Sequence, residues 1–282
     1  MNLLEELQLP GPIQVMDVGA SVINEVPVYK ALLDSGAAHL HAFEGDERQI
    51  AGIEQAYGGR ATVHRDFLFD GEERTLFLAS GPSGMTSLLN PRLSALRFFN
   101  GFEFFGRIER TMRVQTRRLD DVETVPPLDF VKMDIQGGEL TVMKHGLAKL
   151  HDCVAVQLEV SFVGLYENQP PIGEVDMWMR QQGFAPHCFV DVKRWAIAPT
   201  VFMNNFRVPG NQLLEADMVY VKDPLKLAEL SVAQLKKLAA LAHYCFQSYD
   251  LCVFVLLELE ARGAVREAAH QRYLGGGTSQ AA

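Results

Sequence analysis

The first 222 residues alternate between short apolar runs and amphipathic stretches, a pattern typical of α/β folds. Apolar and β-branched residues predict strands at 13–18, 38–43, 61–64, 111–117, 130–135, 154–160, 184–192 and 218–221. Helical periodicity predicts helices at 25–33, 46–57, 139–150 and 171–182. Strands that alternate with helices in this way indicate an open, mostly parallel sheet.

Two regions depart from this alternation. Residues 67–69 and 75–79 predict a hairpin around Asp70-Gly71, and residues 80–90 form a loop rich in Gly, Ser and Thr. Beyond residue 224 only helices are predicted, at about 225–241 and 250–262. We therefore expect a sheet domain over 1–223, a helical extension over 224–274 and a disordered tail over 275–282.

Composition narrows the class of protein. The chain has 282 residues, 48% of them hydrophobic, and a net charge of −9 without a dense Lys/Arg tract, which argues against general nucleic-acid binding. Its four cysteines form no CxxC pair and no zinc-site spacing. The acidic N-terminus does not resemble a signal peptide, and no apolar run reaches the length of a membrane span. We expect a cytoplasmic protein with reduced thiols.

The ends of the first two strands carry the first candidate chemistry. The first strand ends in Asp17-Val18-Gly19, and a strand that ends in an acid and a glycine commonly opens a nucleotide-binding βα unit. Glu44 follows the second strand, where an acid can accept hydrogen bonds from both ribose hydroxyls. Glu44 could instead cap the helix that follows, but the glycine turn and the acid occur in the expected register.

The stretch from Asp129 to Glu139 contains the second group of candidate site residues. Asp134 and Gln136 come at the end of a buried strand, just before Gly137 and Gly138, so both should face a site at the carboxyl edge of the sheet. The alternative is an ordinary strand-to-helix turn with a capping carboxylate. Glu159 lies in the otherwise apolar strand at 154–160, which indicates either a second acid near the site or a buried ion pair.

Together these segments resemble the FkbM-type S-adenosylmethionine-dependent methyltransferases over roughly residues 13 to 222. The shared motifs are Met16-Asp17-Val18-Gly19-Ala20, Ala42-Phe43-Glu44, Met85-Thr86-Ser87-Leu88, Arg118-Leu119-Asp120-Asp121, the stretch 129–139, Leu158-Glu159-Val160, Leu165-Tyr166 and Gly183-Phe184. The resemblance implies a class I methyltransferase fold, a Rossmann-like seven-stranded, mostly parallel sheet with helices on both faces and an antiparallel last strand. It also implies O-methylation of a hydroxyl on a sugar or another small-molecule or glycan acceptor.

The resemblance also implies roles for particular residues. The methionine part of S-adenosylmethionine would lie against Asp17, Gly19, Ala20 and Ser21, the ribose against Glu44, and the adenine near Asp66. Ser87 of the Ser-Leu motif would contact the cofactor as well. Asp134 would lie beside the sulfonium and the acceptor hydroxyl, as the general base or orienting acceptor, with Glu159 as the second choice. No metal ligand set is predicted, although a divalent ion bridging Asp134 and other acids is conceivable.

Two alternatives stay open. Ile23 stands where the family usually has a glycine, and it could crowd the cofactor. The chain would then be an inactive scaffold whose C-terminal helices dock a partner. Oligomeric state is a separate question: these apolar helices would expose a patch unless they pack on the sheet domain or on a second copy in a homodimer. An NAD-linked oxidoreductase shares the strand, turn and acid, but the absence of GxGxxG and the stretch 129–139 count against it.

Overall fold

A computed structural model of the chain describes residues 1–19, 26–44, 47–80 and 84–277, with only the backbone for 47–49 and 276–277. Within these residues the strands are β1 (Ile13–Val18), β2 (Ala38–Phe43), β3 (Ala61–His64), β4 (Phe67–Leu68), β5 (Glu73–Ala79), β6 (Ile108–Arg117), β7 (Phe130–Met133), β8 (Ala155–Ser161), β9 (Phe184–Trp195) and β10 (Gln212–Lys222). The helices are α1 (Leu3–Leu7), α2 (Lys30–Asp34), α3 (Glu47–Tyr57), α4 (Leu93–Phe98), α5 (Phe102–Phe105), α6 (Glu139–Lys144), α7 (Ile172–Gln181), α8 (Val232–Tyr244), α9 (Tyr249–Ala261) and α10 (Ala269–Gly277). Short 3₁₀ helices lie at Gly58–Arg60, Leu119–Asp121 and Pro224–Glu229.

The main sheet has seven strands in the order β3-β2-β1-β7-β8-β10-β9. Strands β3, β2, β1, β7 and β8 pair in parallel, and β10 lies antiparallel between β8 and β9. This confirms the predicted sheet with its antiparallel last strand. The strand order reverses between β1 and β7, and in open α/β sheets ligands bind at this point, beyond the carboxyl ends of the strands.

Each face of the sheet is buried under helices, as the nearly continuous apolar strands require. On one face Val15, Leu40 and Phe130 form a core with α2, α3 and the C-terminal helices. On the other, Met16 and Val131 belong to a core shared with α6 and α7. Because side chains alternate between faces along a strand, Asp17 lies on the same face as Val15.

The C-terminal helices form a layer on the sheet. Leu235, Leu238 and Val255 are fully buried in the core that contains β1 and β2. The Lys237 ammonium lies 2.8 Å from both carboxylate oxygens of Asp129, at the start of β7. Most of the apolar face of these helices is therefore covered within the chain, and the expected homodimer stays a prediction.

The N-terminal helix is joined to the same layer by a buried ion pair. The Glu6 side chain is fully buried and pairs with Arg266 and Arg272. The Arg266 hydrogen bond is the largest cause that lowers the pKa of Glu6. These ion pairs thus join α1 to α10 and the segment before it.

None of the described helices combines the length and apolar character needed to cross a membrane. The cytoplasmic location stays a prediction.

The bounds of several predicted segments differ from the structure. The helix expected at 25–33 begins at Lys30, and residues 26–29, which include Pro27, are not helical. The helix expected at 139–150 ends at Lys144, and Gly146 packs so tightly on Leu119 that a Cβ atom would lie 2.6 Å from it. Of the disordered tail expected over 275–282, Gly275 to Gly277 belong to α10, and Thr278 to Ala282 lie outside the described residues.

The predicted hairpin is also wrong, although its turn exists. Gly71 adopts φ +90° and the Asp70 carboxylate accepts the Glu72 N–H, as expected for an Asp-Gly turn. However, β4 and β5 do not pair with each other, because the longer β6 lies between them in a second sheet of order β4-β6-β5. This small sheet stands beside the carboxyl ends of β1 and β2, where it forms one wall of the candidate site.

Candidate functional site

A cavity of about 400 Å³ lies at the point where the strand order reverses. Its volume is within the usual range of small-molecule sites. We refer to it as the first cavity, and it is lined by Val18, Gly19, Phe43, Glu44, Asp66, Phe67, Leu68, Leu76, Gly84, Thr86, Ser87, Leu88, Asp134, Ile135 and Gly138. The site residues Gly19, Glu44, Asp66, Ser87 and Asp134, predicted from separate parts of the sequence, are therefore brought together here.

Gly19 allows two strand ends to approach closely. It adopts φ +80°, and a Cβ atom added there would lie 2.5 Å from the Asp134 carbonyl oxygen. The Gly19 N–H donates to the Phe43 carbonyl, and the Asp134 N–H donates to the Val18 carbonyl. Only glycine fits a left-handed conformation with this contact, so the first cavity depends on it. Ala20, Ser21 and Ile23 lie outside the described residues.

Two acids line the far side of the first cavity. Glu44 follows β2, and its N–H donates to the His64 carbonyl at the end of β3. Asp66 follows β3, and Arg117 of β6 donates to its carboxylate at 3.3 Å. Residues at the ends of β2 and β3 therefore line the same cavity, and their contacts with a ribose and an adenine stay predictions.

Asp17 lies beneath the first cavity and does not line it. The carboxylate accepts a 2.6 Å hydrogen bond from the Tyr29 hydroxyl and lies 3.8 Å from the Lys132 ammonium. Burial raises the pKa of Asp17, and Lys132 opposes that shift. Its Oδ1 atom is buried without a hydrogen-bond partner in the described part of the chain. The predicted contact of Asp17 with a cofactor stays a prediction.

The loop between β7 and α6 is fixed by two side chains. The Ser87 hydroxyl donates to the Gln136 carbonyl at 2.8 Å and accepts the Leu89 N–H. The buried Glu139 carboxylate accepts the N–H groups of Ile135 and Gly137. Burial raises the pKa of Glu139 to about 7, against the effect of these hydrogen bonds. Ser87 and Glu139 thus hold the backbone that presents Asp134.

A second cavity, of about 360 Å³, shares Gly84 and Asp134 with the first. It is lined by Gly84, Met85, Phe102, Phe105, Asp134, Gln136, Glu159, Leu165, Lys193, Trp195, Arg207, Leu214 and Glu215. Its ionisable side chains include the cations Lys193 and Arg207, whereas those that line the first cavity are all carboxylates. Asp134 therefore stands on the boundary between a cavity at the sheet switch point and a charged cavity beyond it.

Gln136 connects the acids of the second cavity. Its Nε2 atom donates to Asp134 Oδ1 at 3.0 Å and to Glu159 Oε1 at 3.1 Å. Its Oε1 atom accepts a 2.7 Å hydrogen bond from the buried Tyr166 hydroxyl. The Tyr166 hydroxyl also lies 3.3 Å from the Met85 carbonyl, but its shorter hydrogen bond is to the amide oxygen, and the NH₂ group faces the two carboxylates. Tyr166 thus fixes the amide orientation, and Gln136 adopts φ +60°, uncommon for a residue other than glycine.

Glu159 continues this network to the last two strands. Lys193 of β9 lies 2.8 Å from Glu215 of β10 and 3.8 Å from Glu159. Burial, and then the nearby Asp134 and Glu215, raise the pKa of Glu159 well above its usual value. Burial alone would lower the pKa of Lys193, but Glu215 and Glu159 outweigh that effect and raise it.

In the described residues no group of three His, Cys, Asp or Glu side chains is arranged to hold a metal ion.

The FkbM methyltransferase domain family matches residues 17–186, which is more than half of the chain. The chain belongs to this family. The matched region contains the first cavity and most of the Gln136 network, whereas β9 beyond residue 186 and β10 lie outside it. No curated protein matches the chain in sequence.

Solved structures with a similar arrangement share little sequence with this FkbM-family chain. A magnesium protoporphyrin IX methyltransferase from Synechocystis PCC 6803 with bound SAM is 15% identical, with 78% of this chain and 74% of that chain covered and a TM-score of 0.38. A putative methyltransferase from Thermoplasma acidophilum is 12% identical, with 76% and 70% covered and a TM-score of 0.37. An uncharacterized protein from Listeria monocytogenes is 11% identical, with 97% and 95% covered and a TM-score of 0.37.

In this FkbM-family chain, sequence patterns indicated the carboxylates at Asp134 and Glu159 but not the groups that connect them. Tyr166 belonged to a shared motif without a predicted role, and Lys193, Arg207 and Glu215 were not singled out. One signal was present: Glu215 interrupts an apolar strand in the same way as Glu159. The pairing of β9 with β10, which brings Lys193 to Glu215, depends on contacts that no local pattern reveals.

Proposed function

We propose that this FkbM-family chain is an S-adenosylmethionine-dependent O-methyltransferase that acts on a hydroxyl of a sugar or another small-molecule or glycan acceptor. The observation that carries the proposal is the position of Asp134, which lines both cavities. A cofactor in the first cavity and an acceptor in the second would meet at this carboxylate.

The first cavity suits the cofactor in three respects. Gly19 brings the backbone close to the space without a side chain in the way. Glu44 can accept hydrogen bonds from the two ribose hydroxyls, and Asp66 lies at the far end for the adenine. When bound, S-adenosylmethionine supplies an electrophilic methyl group on its sulfonium.

The residues around Asp134 prepare it to accept a proton. Gln136 occupies Oδ1 and leaves Oδ2 without a hydrogen bond to any described residue. Asp134 is exposed to the cavities, whereas Glu159 is buried, and its burial raises the pKa of its carboxyl group. We therefore assign Asp134 Oδ2 as the atom that orients the acceptor hydroxyl and takes its proton, with Glu159 in a supporting role.

Positioning supplies the rest of the expected rate enhancement. Transfer from a sulfonium requires the acceptor oxygen, the methyl carbon and the sulfur to lie in line, and holding them there lowers the entropic part of the barrier. Ser87 and Glu139 hold the loop that presents Asp134, and Tyr166 holds the amide that orients it. Phe102, Phe105 and Trp195 add an aromatic wall to the second cavity, against which an acceptor can pack.

Two variants test binding and chemistry separately. Asp134→Asn should lower turnover at least about 100-fold, the usual contribution of a general base, because it removes the proton acceptor. It should leave the affinity for S-adenosylhomocysteine within about threefold, since a carboxamide keeps the shape of the wall.

Glu44→Ala should weaken the affinity for S-adenosylhomocysteine about tenfold or more, because the ribose loses a charged hydrogen-bond partner.

Calorimetric titration and release of S-adenosylhomocysteine in the presence of hydroxylated acceptors provide the two measurements. Full turnover by Asp134→Asn would remove Asp134 from the mechanism. Failure of the folded wild-type protein to bind S-adenosylmethionine and S-adenosylhomocysteine would reject the enzyme and favour the scaffold alternative.

A further inference from the structure

Among the described residues, Arg207 is the cation of the second cavity that no acid neutralises. In the part of the chain that the structure describes, its guanidinium makes no ion pair and no hydrogen bond. It lies instead over two aromatic rings, 5.9 Å from the Phe105 centroid and 5.7 Å from the Phe206 centroid. An aromatic ring interacts with the flat face of a guanidinium, so the N–H groups along its edge stay available.

Packing and hydrogen bonds hold the loop that carries Arg207. The Asn205 side chain accepts the Arg207 N–H at 2.9 Å, and the Asn205 N–H donates to the Phe202 carbonyl. The Phe206 ring packs on Gly101, where a Cβ atom would lie only 2.9 Å from it. The Trp195 indole donates to the Asn100 carbonyl at 2.8 Å and joins the start of this segment to the same region. The guanidinium is therefore held at the wall of the cavity.

Charge is distributed unevenly along the second cavity. Glu159 and Glu215 are buried at its inner end, beside the exposed Asp134, and the Lys193 ammonium there is already shared between two carboxylates. Arg207 is exposed, lines the same cavity and takes no part in these pairs. An acceptor with an anionic group would be repelled from the inner end and attracted to Arg207, which leaves its hydroxyl end toward Asp134.

We propose that Arg207 binds an anionic group, a phosphate or a carboxylate, on the methyl acceptor. Both groups present paired oxygens that match the fork of a guanidinium. This inference rests on the proposed function, because it treats the second cavity as the acceptor site. It narrows the acceptor from hydroxylated compounds in general to those that carry an oxyanion at the end remote from the reacting hydroxyl.

Matched ligands test the proposal by calorimetry, with and without saturating S-adenosylhomocysteine. Glucose, glucose 6-phosphate and glucuronate share a hydroxylated ring and differ in charge, so they separate a neutral acceptor, a phosphate and a carboxylate. We expect at least one anionic sugar to bind wild-type protein about tenfold or more tightly than glucose. Arg207→Gln should abolish this preference without changing the affinity for glucose, and Arg207→Lys should retain part of it.

Arg194→Gln is the matched control, because Arg194 is exposed on β9 and lies outside the cavity lining. Arg194→Gln should keep the preference for anionic sugars. The thermal midpoints of Arg194→Gln and Arg207→Gln should both equal that of the wild type, which would show that both variants are folded. Anionic sugars that bind no more tightly than glucose, or equal losses in both Gln variants, would overturn the inference. Loss of S-adenosylhomocysteine binding with the anion preference intact would instead reject the proposed function alone.

Discussion

The two cavities that meet at Asp134 are similar in size, about 400 and 360 Å³, but they are constructed differently. Strand ends and the turns after them form the first, so its shape depends on how closely backbone segments approach. The second is formed by side chains from β8, β9, β10 and distant loops, and it depends on hydrogen bonds and charges between them. We therefore expect substitutions that add atoms at a strand end to disrupt the first cavity. Substitutions that remove a hydrogen-bond donor should disrupt the second.

The largest effect should follow Gly19→Ala. The new methyl group would lie 2.5 Å from the Asp134 carbonyl at φ +80°, so β1 and β7 must separate to admit it. We expect affinity for S-adenosylhomocysteine to fall about 100-fold or more, together with a stability loss of roughly 2–4 kcal/mol from steric clash and backbone strain. Calorimetry and urea denaturation would measure the two effects.

Gly36→Ala separates strain from the clash. Gly36 also has a positive φ, +75°, but no atom lies within 4 Å of an added Cβ. This variant should lose only about 1–2 kcal/mol of stability and bind the ligand normally. Equal effects of the two substitutions on affinity would show that the close approach at Gly19 does not shape the first cavity.

The same contrast explains what could be predicted from sequence. Gly19, Glu44 and Asp134 follow strands whose apolar pattern is clear, so their common edge could be derived from the sheet class alone. The Gln136 network could not, because it requires Tyr166 to reach across the site and Glu215 to pair with Lys193 in an antiparallel register. The predicted hairpin was wrong for a similar reason: a local turn signal does not show which strand lies between its arms.

Among the side chains that support the second cavity, Tyr166→Phe should have the next largest effect, although Tyr166 contacts the cavity only through Gln136. It removes the donor that fixes the Gln136 amide, so the amide can rotate and present its oxygen to Asp134 and Glu159. We expect kcat to fall about tenfold, the scale of one lost hydrogen bond of 1–2 kcal/mol, with unchanged affinity for S-adenosylhomocysteine. Steady-state kinetics with a saturating acceptor would measure it.

Tyr220→Phe is the control for this substitution. Tyr220 is also fully buried, but it packs in the core shared with α6 and α7 and lines neither cavity. It should leave kcat unchanged. If both variants lose turnover equally, the loss reflects general packing, and the orienting role of Tyr166 is wrong.

The smallest effect on turnover should follow Glu139→Gln, since the carboxamide oxygen can still accept the Ile135 and Gly137 N–H groups. Its effect should appear in the pH dependence of stability. Burial raises the pKa of Glu139 to about 7 from its ordinary value of 4.5, so the folded state holds this proton more tightly than the unfolded state does. The wild type therefore loses stability as the pH rises from 4.5 through 7, by up to about 3 kcal/mol, and the neutral variant does not.

Urea denaturation at pH 5 and 8 should give nearly equal midpoints at pH 5 and a higher midpoint for Glu139→Gln at pH 8. Glu167→Gln, at an exposed carboxylate, should follow the wild type at both values. A Glu139→Gln midpoint below that of the wild type at pH 8 would mean that the ionised carboxylate stabilises the loop, and that charge as well as shape is needed on the backbone side of Asp134.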